Sequence, residues 1–285
     1  MRKSLLGCVL LLGGIVSAGN LLPDASFELG GTDYDARRFA DITDPRQQRN
    51  ITPVADPEHP VHGKVSLRFD NPYRVPLGLR SPDIALRDDT TYTFSFYARS
   101  SKPVKLRALI FSVITRDETR RNGEWDNGNR KFFTLGKAWR RYSITFTPKK
   151  GFRWYFADLL WGEGSDATVW IDAMMLSPGK TPLPFAPKSE VEFALDSPRH
   201  CRIEGEPSLV CTLSGINYGT RGTEAEVVLR EFDDYRETKL GERRWKGKLP
   251  PGGEVVRQNL PVERKEYGVY SLRGEFRTAS GEQGT

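Results

Sequence analysis

Asn20-Leu-Leu-Pro-Asp-Ala-Ser-Phe-Glu-Leu-Gly30 and, far along the chain, Thr168-Val-Trp-Ile-Asp-Ala-Met-Met-Leu-Ser-Pro-Gly-Lys180 bracket a region of short alternating segments. In the second stretch Val169, Ile171 and Ala173 alternate with Trp170, Asp172 and Met174, the period of a strand with one buried face. Tyr92, Phe94, Phe96 and Ala98 alternate in the same way with Thr93, Ser95, Tyr97 and Arg99. Tyr142, Ile144 and Phe146 repeat the pattern against Ser143, Thr145 and Thr147. Val104 to Ile114 is apolar on both phases over much of its length, as a strand inside a sandwich core must be. Turn formers punctuate the gaps, among them Asp70-Asn-Pro72, Arg87-Asp-Asp89 and Gly162-Glu-Gly164. The region predicts an all-β fold, a β-sandwich of many short strands.

The bracketing pair resembles the start and end of galactose-binding-like jelly rolls, which serve as carbohydrate-binding modules in bacterial extracellular glycosidases. The resemblance covers residues 20–187. It implies that Glu28, after Phe27, lies beside Asp172 of the last strand. It also implies that the two acids, with backbone carbonyls near the loop before Gly63-Lys-Val-Ser-Leu67, hold a structural Ca²⁺. Such a hard cation takes six to eight oxygens. The residues alone allow a second arrangement, in which Glu28 accepts backbone hydrogen bonds and Asp172 pairs with Lys64 or a nearby arginine.

The chain opens with Met1-Arg-Lys-Ser, an apolar run from Leu5 to Val16, and Val16-Ser-Ala18. This is the pattern of a secretory signal peptide, with cleavage near Ala18. The apolar run is shorter than the roughly 20 residues a membrane-spanning helix needs. The expected location is therefore secreted, or periplasmic or at the cell surface, with no membrane span. The formal charge of +6 becomes +4 without Arg2 and Lys3. Basic residues are interleaved with acids, as in Arg116-Asp-Glu-Thr-Arg-Arg121, so no stripe suited to nucleic acid forms. Cys201 and Cys211 flank the turn-rich Glu204-Gly-Glu-Pro-Ser208, and a hairpin centred there predicts a structural disulfide between them.

Pro178-Gly-Lys-Thr-Pro-Leu-Pro-Phe-Ala-Pro187 cannot continue a central strand. It divides the chain into a signal segment (1–18), a jelly-roll domain (19–177), a linker (178–189) and a second domain (190–285). In the last, Glu190–Phe193, Leu209–Leu213, Glu224–Arg230, Glu254–Gln258 and Tyr267–Phe276 are strand candidates. Leu249-Pro-Pro-Gly-Gly before Glu-Val-Val, then Glu266-Tyr-Gly-Val-Tyr-Ser-Leu272, resembles the penultimate strands of an immunoglobulin- or fibronectin-type sandwich. One further strand is expected beyond Thr285, as in an amino-terminal piece of a longer protein.

No pair of acids is singled out for glycoside hydrolysis, and no Gly-x-Ser-x-Gly elbow supports nucleophilic catalysis. His59 and His62 with Glu58 fall short of a zinc set. A sugar ring packs its C–H groups on an aromatic face, so aromatics outside the core matter most. Phe27, Phe94, Phe96, Tyr142, Phe146 and Phe156 fall on buried phases, and Trp139 and Trp170 read as packing. Trp125 stands in the polar loop Arg121-Asn-Gly-Glu-Trp-Asp-Asn-Gly-Asn129. With Trp161 and Tyr97 it forms the candidate ligand set, and Asp126, Asn127 and Arg130 are the polar partners. The expected function is a secreted, non-catalytic carbohydrate-binding module that holds a polysaccharide near a catalytic domain. The alternative is a structural or protein-binding accessory module.

Overall fold

Alternating side chains require extended backbone with one face out of water, and the computed structural model is β throughout. It describes residues 19–31, 34–38, 53–113, 123–124, 129–152, 154–196, 209–233, 236, 238–262 and 270–284. The first strands are β1 (Asp35–Arg38), β2 (Val54–Asp56), β3 (Ser66–Phe69), β4 (Leu77–Arg80), β5 (Ile84–Ala85) and β6 (Tyr92–Ser100). There follow β7 (Val104–Val113), β8 (Gly123–Glu124), β9 (Arg130–Leu135), β10 (Arg140–Phe146), β11 (Trp154–Trp161) and β12 (Val169–Pro178). The remainder are β13 (Val191–Asp196), β14 (Leu209–Asn217), β15 (Thr223–Asp233), β16 (Thr238–Leu249), β17 (Val255–Val262), β18 (Tyr270–Thr278) and β19 (Gln283–Gly284).

The first twelve strands form a jelly-roll sandwich. One antiparallel sheet runs β1-β4-β11-β7-β8, with β5 on β11 and β9 on β7, making seven strands. The facing sheet runs β10-β6-β12-β3-β2. Leu77, Leu79, Leu106, Ala108 and Leu159 of the first meet Phe69, Phe94, Phe96 and Ile171 of the second in one core. Each fully buried side chain of this size contributes about 1.5–3 kcal/mol.

The two bracketing segments meet. Asn20 Nδ2 donates to the Met174 carbonyl, while its Oδ1 accepts from the Leu22 and Leu176 amides. Leu21 N donates to Leu176 O, and Met174 N to Ala25 O. β12 departs from strict alternation, because its register against β6 shifts between Asp172 and Met175 and Ala173 has φ 46°. This bulge turns Met174 and Leu176 into the core, where unbroken alternation places Ala173 rather than Met174.

The segment after β12 lies on the five-stranded sheet rather than free of it. Gly179 N donates to Thr91 O, Thr145 Oγ1 donates to Lys180 O at 3.2 Å, and the Arg141 guanidinium donates to Leu183 O. Phe185 packs on the His62 ring with centroids 4.2 Å apart.

The second sandwich pairs a β13-β14-β17 sheet with a β16-β15-β18-β19 sheet. Val191, Leu213, Ala225, Val227, Leu229 and Leu249 form its buried centre, with Phe193, Trp245 and Phe276 packed against them. β16 has no counterpart among the strands expected from sequence. Its length is dominated by charged residues and glycine, and Trp245 and Leu249 supply its apolar anchors. Phe276 and Arg277 of β18 are paired by the two-residue β19. Cys211 lies half-buried on β14 opposite Leu260. Cys201, its expected partner, lies outside the described residues.

The loop 20–31 joins the sandwiches. Asp24 N donates to Glu192 Oε2 at 2.7 Å, and the Ser26 and Tyr218 hydroxyls lie 3.3 Å apart. Leu29 packs with Ala194 and Ile216 under Tyr218 and Val255.

Candidate functional site

Two places in the first sandwich gather polar chemistry. The first is the pair expected from sequence. Asp24, at φ 39°, accepts from the Leu29 and Gly31 amides at 2.9 and 2.6 Å and folds the 24–31 turn that carries Glu28. Glu28 Oε1 accepts from Lys64 N at 2.8 Å and Val65 N at 3.2 Å. Asp172 Oδ2 accepts from Val61 N and His62 N at 2.6 and 3.0 Å, and its Oδ1 from Ala173 N at 2.6 Å.

Both carboxylates are buried, at 5% and 0% exposure. Burial pushes Glu28 above the ordinary glutamate value. Burial raises Asp172 to about 7, with the negative charge of Glu28 acting in the same direction and three backbone N–H donors opposing. Asp172 therefore bonds to backbone, not to Lys64 or an arginine, which corrects half of the alternative arrangement. Gly63, at φ 67°, is required here, since a Cβ would fall 2.2 Å from Glu28 Oε1.

Aromatics clamp the loop that wraps these acids. Trp139 Nε1 donates to His59 O and Trp170 Nε1 to Asp56 Oδ2, both at 2.9 Å. Arg99 lies 5.2 Å from the Trp139 ring and 4.3 Å from that of Trp170, while its Nη2 donates to Glu58 O. Both tryptophans thus hold structure, as expected. Among the described residues, no group of three or more His, Cys, Asp or Glu side chains is placed to hold a metal.

The second place is the outer face of the seven-stranded sheet. Inward phases of β4, β7 and β11 fill the core, so the alternate residues point away from it. Register sets Arg80 beside Asp158, Asp158 beside Leu109, and Leu109 beside Arg130. The adjoining row places Leu160 beside Arg107 and Arg107 beside Phe132. Phe111 and Phe156 stack with centroids 4.8 Å apart, and Trp154 joins them in a cluster separate from the main core. The Arg80 guanidinium lies 3.5 Å above the Phe156 ring and pairs with Asp83 at 3.0 Å. Phe111, Phe156, Arg80 and Asp158 are 4–9% exposed, so this cluster is packed, with Trp154 as its half-buried edge.

Phe156 is therefore not a residue of the main core. Its strand is buried on both faces, so a buried phase alone does not reveal which side it faces. Trp161 falls on the inward phase of β11, 3% exposed and edge-on to Phe69 at 5.0 Å. It is a core residue, which removes it from the ligand set. Tyr97 is half-buried on the other sheet, with the Arg141 guanidinium 5.7 Å from its ring. It cannot share a surface with the outer row of the seven-stranded sheet. Arg130 lies on that outer face, exposed on β9. Trp125, Asp126 and Asn127 lie outside the described residues, but Glu124, just before them, pairs with Ser112 of β7 in the same sheet. Phe132, Arg107, Phe111 and Trp154 are the residues that sequence reading missed.

Residues 70–156 match the carbohydrate binding domain family. The matched segment runs from β4 into β11 and includes Arg80, Arg107, Phe111, Arg130, Phe132, Trp154 and Phe156. No curated protein matches the chain. Similar solved structures include a family 61 carbohydrate-binding module in complex with beta-1,4-galactotriose. It is 14% identical, covers 56% of this chain and 99% of its own, and has a TM-score of 0.41. The N-terminal CBM22 tandem domain from Paenibacillus barcinonensis is 13% identical, over 93% of this chain and 91% of its own, at TM-score 0.41. The CBM22-1 xylan-binding domain from the same organism is 16% identical, over 58% and 99%, at TM-score 0.40. Scores of this size fix neither ligand nor site.

Proposed function

We propose that the chain is an exported, non-catalytic polysaccharide-binding protein whose ligand lies across the outer face of the seven-stranded sheet. The observation that carries this reading is the outer face of β9, where Phe132 is 61% exposed and shares the face with exposed Arg130, within the matched segment, with half-buried Trp154 on the same face. The second sandwich, immunoglobulin-like in strand number, acts as a spacer toward a neighbouring catalytic domain. Affinity electrophoresis of the full chain against a polysaccharide panel is the test. Retardation that is lost in Trp154→Ala and Trp125→Ala supports the reading. Migration unchanged on every glycan favours a structural or protein-binding module instead.

A structural Ca²⁺ between Glu28 and Asp172 belongs to the same proposal. The two acids concentrate negative charge in a buried place, and the opposing charges near Glu28 are those of Lys64 and Arg257. Glu28 Oε1 and both Asp172 oxygens already accept backbone N–H bonds, so Glu28 Oε2, backbone carbonyls and water must make up most of a shell of six to eight. A midpoint of thermal unfolding that rises with added Ca²⁺ and falls with chelator supports the site. A midpoint indifferent to both removes it.

A further inference from the structure

Charge on the outer face of the seven-stranded sheet narrows the class of ligand, a step that rests on the polysaccharide-binding function proposed above. Phe132 is 61% exposed, the most exposed large hydrophobic side chain among the described residues. It lies directly opposite Arg107 across the β9–β7 pair, and Arg130 precedes it by two positions on the same face. Arg107 and Arg130 are thus diagonal neighbours, within mutual reach of long side chains.

These two guanidiniums differ from the carboxylate-paired arginines of the same sandwich. Arg68 pairs with Asp56 and Asp70, Arg80 with Asp83, and Arg87 with Asp89. Neither Arg107 nor Arg130 forms an ion pair or side-chain hydrogen bond with a described residue, and Arg107 Nε is shielded from solvent with no partner. A guanidinium offers five N–H donors and no acceptor. Asp158, diagonal to Arg107 on the same face, is 4% exposed. A neutral sugar hydroxyl both donates and accepts, so the accessible donors of Arg107 and Arg130 satisfy half its chemistry. A carboxylate or sulfate only accepts and matches the planar fork in two parallel, charge-assisted bonds. We infer that the ligand is an anionic polysaccharide, its pyranose ring on Phe132 and its acidic group between Arg107 and Arg130.

The test is affinity electrophoresis of the full chain in polygalacturonate, in the carboxyl-reduced neutral form of that polymer, in dextran sulfate and in neutral galactan. Retardation by polygalacturonate that disappears on carboxyl reduction is expected, and retardation by dextran sulfate alone identifies sulfate as the anion. Arg107→Gln and Arg130→Gln should each weaken binding about tenfold or more, through loss of a charge-assisted hydrogen bond. Phe132→Ala should weaken binding too, with unfolding midpoints unchanged. Arg140→Gln, an exposed arginine on the other sheet, should leave binding as it is. Equal affinity for neutral galactan, or full binding in the Arg107→Gln/Arg130→Gln double variant, overturns the inference while leaving polysaccharide binding intact. No retardation by any polymer overturns the function reading itself.

Discussion

Replacing Glu192 by Gln probes the junction that orients the two sandwiches. Its Oε2 accepts from Asp24 N at 2.7 Å, and its Oε1 from Lys188 N at 3.0 Å and Ser189 N at 3.4 Å. One carboxylate thus ties the first sandwich's loop to the segment entering the second. A glutamine keeps one acceptor oxygen and turns an NH₂ group toward the other donors. At least one backbone N–H near a 5%-exposed side chain then loses its acceptor, a cost of about 1–3 kcal/mol.

The change also removes a pH dependence. Burial raises the Glu192 carboxyl above its ordinary value, with backbone donors only partly opposing. Above the unfolded-state value of roughly 4.3, the native state retains a proton that the unfolded state has released. This group's contribution therefore falls as pH rises, from that value until the native carboxyl has itself ionised. Thermal unfolding followed by circular dichroism at a series of pH values is the assay. The wild type should lose stability across the lower part of the series, and the variant should lose less while starting from a lower midpoint. A variant with the same slope, or with a higher midpoint at acid pH, would show that Glu192 is not the titrating group.

Gly63→Ala should destabilise the first sandwich by about 1–3 kcal/mol, since alanine at φ 67° is strained and its Cβ strikes Glu28; chemical denaturation checks this. Trp161→Ala should cost about 3–5 kcal/mol as a core cavity. At a temperature where the variant remains folded, its affinity for any polysaccharide that binds the wild type should be unchanged. The proposed Cys201–Cys211 bridge predicts no free thiol in the unfolded, unreduced secreted protein. Titration with a thiol reagent before and after reduction decides it. The described register pairs Asp196 with Thr212, so two free thiols would mean that this pairing continues without bringing the cysteines opposite each other.

The first sandwich was legible in sequence because its strands alternate cleanly and its turns are marked by Gly, Pro, Asn and Asp. Asn20 binding Met174 and Leu176 shows why the bracketing segments belong together. The bulge in β12 was not legible. An inserted residue reverses phase without any change in composition, and Met174 looks the same as an outward residue. β16 escaped for a related reason. Its exposed edge position keeps Lys239, Arg244, Lys246 and Lys248 in solvent, and two apolar anchors do not make a period.

The candidate site was the least legible part, and the cause is the seven-stranded sheet itself. Much of β11 is buried on both faces, so Trp161 and Phe156 give the same local signal while facing opposite ways. Pairing partners, not periodicity, separate them. Trp161 meets Leu77 and Leu106 of the core, whereas Phe156 meets Phe111 on the far side. The same logic recovers Phe132, which stands between Lys131 and Phe133 and has no distinguishing local pattern. Its place opposite Arg107 exists only once β9 has paired with β7. Binding chemistry on a sheet face is a cross-strand property, assembled from residues distant in sequence, so a loop tryptophan draws notice first. If ligand binding follows the face, Phe132 and Arg107 will matter as much as Trp125. If it follows the loop alone, Trp125→Ala will abolish binding while the Arg107→Gln and Phe132→Ala proteins bind as the wild type does.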